Sequence, residues 1–208
     1  MFNALIIGAG RIAAGFDTPE SESVLTHAHA YSLHPDFNLL GFIDPDLNQS
    51  QKAAKKWNCE AFNSLSDIKA IVDVVSICSP DHVHYESVIQ SQKLSPKLIF
   101  LEKPISNNLE KAKELLCFTI PIAVNYSRRY IKEFRELADR IKGNKFGRFF
   151  IGTAYYGKGF IHNGSHMIDL LRLLLGVQSH IVGIRFDSKQ FRFRFPLLND
   201  KFPGSQTV

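Results

Sequence analysis

Three short stretches of this chain hold residue types that can bind an anion or move a proton. Gly8-Ala9-Gly10 follows the apolar run Leu5-Ile6-Ile7, so a strand hands over to a turn whose backbone amides can face a diphosphate. Glu102-Lys103-Pro104 ends another apolar run, and its lysine can hold a hydroxyl or polarise a carbonyl by charge. His162-Asn163-Gly164-Ser165-His166 leads to Asp169. Imidazole titrates near neutral pH, so His166 can take up and return a proton. His166 and Asp169 stand three apart, on one face of a helix, where the carboxylate can orient the ring.

Apolar runs and helical patterns alternate through the first 125 residues and supply a frame for these groups. The strand candidates are Phe2–Ile7, 38–43, 72–78, 97–101 and 121–124, continuous runs of the kind found in parallel strands covered on both faces. Helix candidates lie between them at 26–34, Leu47–Trp57, 82–92 and 109–118. Asn107, three residues before Glu110, gives the last a capping-box start. This repetition predicts an α/β fold with a doubly wound Rossmann-type parallel sheet, its ligands at the carboxyl ends of the strands. Beyond Asn125 the pattern changes to a charged helix at 128–142, a strand at 149–156, a helix at Ser165–Leu175 stopped by Gly176, and strands at 181–186 and 191–195. The expected organisation is a dinucleotide-binding domain over 1–124 and an abbreviated α+β domain with a mostly antiparallel sheet over 125–208.

The glycine turn departs from its usual form in two ways. Ala13 stands where the third glycine is expected, a substitution that helix–strand packing accepts. The acidic residue expected roughly 20 residues onward, at the end of the second strand, is Asp44, about ten residues late. The polar stretch 16–25 has the size of that excess, so an insertion near the first helix accounts for the longer spacing. Thr26 would then cap a helix beginning after it. A carboxylate at Asp44 can accept from both ribose hydroxyls and would repel a 2′-phosphate, which favours NAD over NADP. Asp44-Pro45-Asp46 also reads as a turn that starts the next helix.

Taken together, GAGRIA at the first turn, Ser79-Pro80-Asp81-His82-Val83-His84, Glu102-Lys103-Pro104, Asn125-Tyr126-Ser127-Arg128-Arg129-Tyr130 and Gly164-Ser165-His166-Met167-Ile168-Asp169 occur in an order that resembles the Gfo/Idh/MocA oxidoreductases, over about residues 1–187. The resemblance implies an NAD(P)-binding Rossmann domain followed by a second domain on a large, mostly antiparallel sheet. It also implies hydride transfer at one carbon of a sugar, cyclitol or related polyol. By that likeness Gly8, Gly10, Arg11, Ile12, Asp44, Ser79, Pro80, His84, Glu102, Lys103 and Asn125 are cofactor-side residues. Lys103 lies near the nicotinamide and the reacting hydroxyl, and His166 is the acid/base. Many members carry an aspartate four residues before that histidine; here His162 stands in its place, as an accessory donor at most. Arg128 and Asp169 are the candidate substrate contacts, and Arg128 and Arg129 could each equally contact substrate or pair on the surface.

Bulk properties exclude several alternatives. The 208 residues are 45% hydrophobic and 22% charged, ordinary for a globular protein. The net charge of +5 comes from scattered lysines and arginines without a basic-aromatic motif, so no nucleic-acid partner is expected. Three cysteines without a CxxC or metal spacing fit a reducing compartment, and the absence of a leader-like or spanning run fits the cytoplasm. His27 and His29, two apart on a helix, face different ways, so no metal site is expected. The family's second domain needs more chain than 125–208 provides. That leaves an abbreviated domain, a fragment, or a sheet completed by a homo-oligomeric partner through its open edge. A nucleotide-binding remnant without catalysis is the rival function, and a glycosidase using NAD transiently is a third.

Overall fold

The structure, a computed structural model, describes residues 1–147, 153–157, 159–176, 183–187 and 190–194. The strand candidate at 149–156 is described only in part, as are those at 181–186 and 191–195; the chain beyond residue 194 lies outside the described residues. The chain falls into two compact units, Met1–Asn125 and Tyr126–Val208.

The first unit is a six-stranded parallel sheet. In chain order its elements are β1 (Phe2–Ile7), α1 (His27–Leu33), β2 (Phe37–Ile43), α2 (Leu47–Trp57), β3 (Glu60–Phe62), β4 (Val74–Ile77), α3 (His84–Ser91), β5 (Leu98–Leu101), α4 (Leu109–Leu116) and β6 (Ile122–Val124). The strand order is β3-β2-β1-β4-β5-β6, every neighbouring pair parallel. The chain therefore winds outward on one side of β1, then returns to β4 on the other. That reversal opens a crevice at the carboxyl ends of β1 and β4.

Side chains alternate between two cores, as the period of a strand requires. Ala4, Ile6, Phe42 and Val74 face a layer containing Ala28 and Tyr31 of α1 and Ala53, Ala54 and Trp57 of α2. Leu5, Val75, Ile77, Ile99 and Leu101 face the other layer, with Val88 of α3 and Leu115 of α4. Both faces are covered, which explains why the strands read as continuous apolar runs rather than alternating ones.

Local signals mostly held, with corrections. Thr26 caps α1 as its spacing predicted, accepting from the His29 amide. The cap of α4 is Asn108, accepting from Lys111 N–H, one residue later than the Asn107 expected; the Asn108 carbonyl also takes the Ala112 N–H, so the helix starts there. Strand β3 was not expected, because three residues are too few to show a period. The charged helix expected from residue 128 begins as a short turn, Ser127–Tyr130, and becomes α5 only over Lys132–Lys142.

In the second unit α5 packs with α6 (Ser165–Leu175). Strands β7 (Thr153–Tyr156), β8 (Gly183–Asp187) and β9 (Gln190–Arg194) pair antiparallel in the order β7-β9-β8. Among the described residues no helix is long and apolar enough to cross a membrane.

Candidate functional site

The glycine turn is built as its residue types require. Gly8 has φ +94°, and a Cβ there would lie 2.8 Å from the Cys78 carbonyl carbon and 2.8 Å from Ser79 N, so only glycine fits. At Gly10 a Cβ would meet nothing within 4 Å, which leaves the backbone open to a ligand. A wide helical turn, Arg11–Gly15, follows directly, closed by Phe16 N–H on Arg11 O at 3.0 Å. Ala13 is fully buried, so the small residue at the third position serves packing. The inserted segment comes after this turn and is tied down by Asp17. Its buried carboxylate accepts from the Leu25 and Thr26 amides, from Thr26 Oγ1, and lies 2.9 Å from His29 Nδ1. Burial alone would raise the Asp17 carboxyl, but these four hydrogen bonds outweigh it and hold the group below its ordinary range.

A cleft of about 720 Å³ opens at the strand ends of this unit and is lined by Gly8, Gly10, Asp44, Ser79 and Pro80 among others. Asp44 ends β2 and turns toward the glycine turn. Its Oδ2 accepts from Ala9 N–H at 2.7 Å and its Oδ1 from Asp46 N–H at 2.8 Å. Asp46 in turn caps α2 through Asn48 and Gln49 amides, so the turn-forming reading of this stretch holds. Gln49, Asn63, Cys78 and Gln90 also line the cleft, residues that no motif had singled out. Burial, then the Glu102 charge, raises the Cys78 thiol well above its usual range and keeps it protonated.

Other candidates sit away from that lining. His84 is buried, with Nδ1 2.7 Å from Pro104 O and Nε2 2.9 Å from Ser79 O; the ring ties the Ser79-Pro80 turn to the Glu102-Lys103-Pro104 turn. Glu102 is buried too, and one of its oxygens, Oε1, is reached by His27 Nε2 at 2.9 Å and by Asn125 Nδ2 at 2.6 Å. His27 and His29 meet different acids, Glu102 and Asp17. Sequence offered no sign of the His27–Glu102 pair, since the two are far apart in the chain.

In the second unit Arg129 donates Nε–H to both Asp169 oxygens, at 2.6 and 2.7 Å. Asp169, which the spacing pairs with His166, is thus held by Arg129. The Tyr126 ring stands edge-on to His166 at 5.7 Å. Burial, then the Asp169 charge against its bond to Ser165, raises the Tyr126 hydroxyl, which remains a donor. His162 is exposed, and its carbonyl accepts from Ser165 Oγ at 3.1 Å, at the entry to α6. A Cβ on Gly164 would lie 2.9 Å from the Tyr156 ring, so the chain passes too close there for a side chain.

Comparison with known proteins agrees with the fold of the first unit. Residues 2–119 match the profile of the Gfo/Idh/MocA oxidoreductase family, described as having an NAD-binding Rossmann fold. The D-glucoside 3-dehydrogenase of Escherichia coli K12 is 27% identical over 198 residues, covering 82% of this chain and 53% of that protein. The chain therefore spans about half the length of the curated relative it matches. Among solved structures, myo-inositol 2-dehydrogenase from Lactobacillus plantarum aligns with a TM-score of 0.67 at 20% identity, over 87% of this chain and 57% of that one. UDP-N-acetylglucosamine 3-dehydrogenase from Acidithiobacillus ferrooxidans aligns with a TM-score of 0.66 at 22% identity, over 88% and 59%.

Proposed function

The chain belongs to the Gfo/Idh/MocA oxidoreductase family, and on that premise we propose that it transfers hydride between NAD and one carbon of a sugar, cyclitol or related polyol. The observation that carries this reading is the glycine turn: Gly8 is sterically obligatory, the space over Gly10 is open, and both line one cleft with Asp44. The residues present fit a dinucleotide. Gly8, Gly10, Arg11 and Ile12 would hold its diphosphate at the start of a helical turn, and Asp44 its ribose, which favours NAD. Ser79, Pro80, His84, Glu102, Lys103 and Asn125 form the cofactor side of the site in this proposal, His84 and Asn125 by holding neighbouring groups in place. When bound, the nicotinamide supplies the hydride acceptor or donor.

Lys103 is proposed to hold the reacting hydroxyl by charge, and His166 to take its proton as the C–H bond breaks. His162 is an accessory donor, and Arg128 and Asp169 are substrate contacts, with Asp169 also bound by Arg129. In this reading residues 1–124 bind the dinucleotide, and 125–208 carry substrate recognition and self-association through an antiparallel sheet. D-glucoside oxidation by the Escherichia coli relative supports a sugar as the first substrate class to try.

Fluorescence titration with NADH and NADPH tests the cofactor, with tighter binding expected for NADH. Turnover on a panel of glycosides, sugars and inositols tests the reaction. Lys103→Ala and His166→Ala should each lower kcat by about a hundredfold or more. Wild-type turnover in both would refute the assigned roles, and binding without any turnover would favour a nucleotide-binding remnant.

A further inference from the structure

The period of two along β4 and β5 sends Ser76, Phe100 and Glu102 to the sheet face covered by α1. His27 meets all three. Its Nε2 is 2.9 Å from Glu102 Oε1, its Nδ1 is 3.2 Å from Ser76 Oγ, and its ring centroid is 5.2 Å from that of Phe100. Tyr31, one turn further along α1, places its hydroxyl 2.7 Å from the same Ser76 oxygen. His27, Tyr31, Ser76 and Glu102 are all buried. From the far side Asn125 Nδ2 donates to the oxygen that His27 holds.

The direction of the His27–Glu102 bond follows from the charge on Glu102. Burial would raise the Glu102 carboxyl, but the His27 and Asn125 donors, with the His27 and Lys103 charges, outweigh it and keep it a carboxylate. Glu102 can then only accept, so His27 carries a proton on Nε2. Burial pushes the Tyr31 hydroxyl up to about 12, so it keeps its proton. His27 donates to Glu102, and Ser76 Oγ lies within hydrogen-bond reach of both His27 Nδ1 and the Tyr31 hydroxyl.

Glu102 is the covalent neighbour of Lys103, and a buried carboxylate short of donors takes the nearest cation. We propose that His27 is a positioning residue for Lys103: with Asn125 it holds the Glu102 carboxylate against the sheet, so that the lysine ammonium stays available to a substrate oxygen instead of being paired by its neighbour. This rests on the role proposed for Lys103 above. The cleft lining does not include His27, so any effect it has there passes through Glu102.

The test compares wild type with His27→Ala and His27→Gln in the full chain, each first shown to be folded by circular dichroism. Reductive methylation of Lys103, followed by peptide mass spectrometry, should slow roughly tenfold in His27→Ala, the scale of one lost charge-assisted hydrogen bond. It should recover in His27→Gln, whose amide still donates to Glu102. Unchanged or faster methylation in His27→Ala overturns the proposal, as does a loss that His27→Gln does not repair. Should His27→Ala fail to fold, long-range ¹H–¹⁵N spectra of the wild-type imidazole decide: a proton on Nε2 supports the arrangement, and one on Nδ1 with a bare Nε2 refutes it. A chain that shows this methylation pattern without turning over any sugar refutes the catalytic role of Lys103 and leaves the hold of His27 on Glu102 intact.

Discussion

Asp44 Oδ2 accepts the amide proton of Ala9 at 2.7 Å, which joins the end of β2 to the middle of the glycine turn. The same carboxylate that is expected to meet a ribose therefore also shapes the turn expected to meet the diphosphate. Asp44→Ala should weaken NADH binding by about tenfold to a hundredfold, and NADPH binding by less, since repulsion of a 2′-phosphate is removed along with the hydrogen bond. Parallel fluorescence titrations check this. Equal losses for both dinucleotides would show that Asp44 serves the turn alone.

Gly8 and Gly10 should behave differently when a methyl group is added. At Gly8 the new Cβ meets backbone atoms of Cys78 and Ser79 at 2.8 Å in a left-handed backbone region, so Gly8→Ala should cost about 2 kcal/mol or more of stability. At Gly10 there is open space, so Gly10→Ala should keep the wild-type urea midpoint while losing dinucleotide affinity. Urea melts paired with NADH titrations separate the two outcomes.

The acid limb of stability should follow two buried carboxylates. Asp17 and Glu102 both have folded-state values below their ordinary ones, despite burial that pushes the other way. Their contribution is therefore fully present above the unfolded carboxylate range, near pH 4 to 5, and is lost as pH falls through the lower folded values. Urea midpoints should fall between about pH 6 and pH 3. Asp17→Ala strands the Leu25 amide, Thr26 Oγ1 and His29 Nδ1, and should cost about 2–4 kcal/mol at neutral pH while flattening that acid slope. A variant with an unaltered slope would remove Asp17 from the account.

His84 should act on structure before chemistry. Its two ring nitrogens face the Ser79 and Pro104 carbonyls, and the ring is buried, so His84→Ala leaves a cavity and two stranded acceptors. A loss of about 2–4 kcal/mol is expected in urea melts. Dinucleotide affinity should fall with it, because Ser79 and Pro80 line the cleft. Wild-type stability in this variant would argue against the clamp.

Much of the architecture was legible because its causes are local. The helix after the insertion starts where Thr26 can reach the His29 amide, three residues on, and the strands are visible because both of their faces are apolar. The order of those elements was enough to expect parallel pairing, since strand and helix alternate. Strand β3 escaped notice, because Glu60-Ala61-Phe62 is too short to carry a period.

The sequence by itself determined the glycine turn, the alternation of strand and helix through the first unit, and the placing of Asp44, Ser79 and Lys103 at or just beyond strand ends. Each follows from backbone sterics or from the spacing of apolar residues within a few positions. Only the tertiary structure decided that His27 belongs to Glu102, His29 to Asp17, Arg129 to Asp169, and His84 to two turns at once. Those partners stand up to 75 residues apart, and their meeting depends on strand register and on how each helix settles on the sheet. Such choices are made by the packing of the whole unit, where a buried polar group must find whatever donor or acceptor the fold brings within reach.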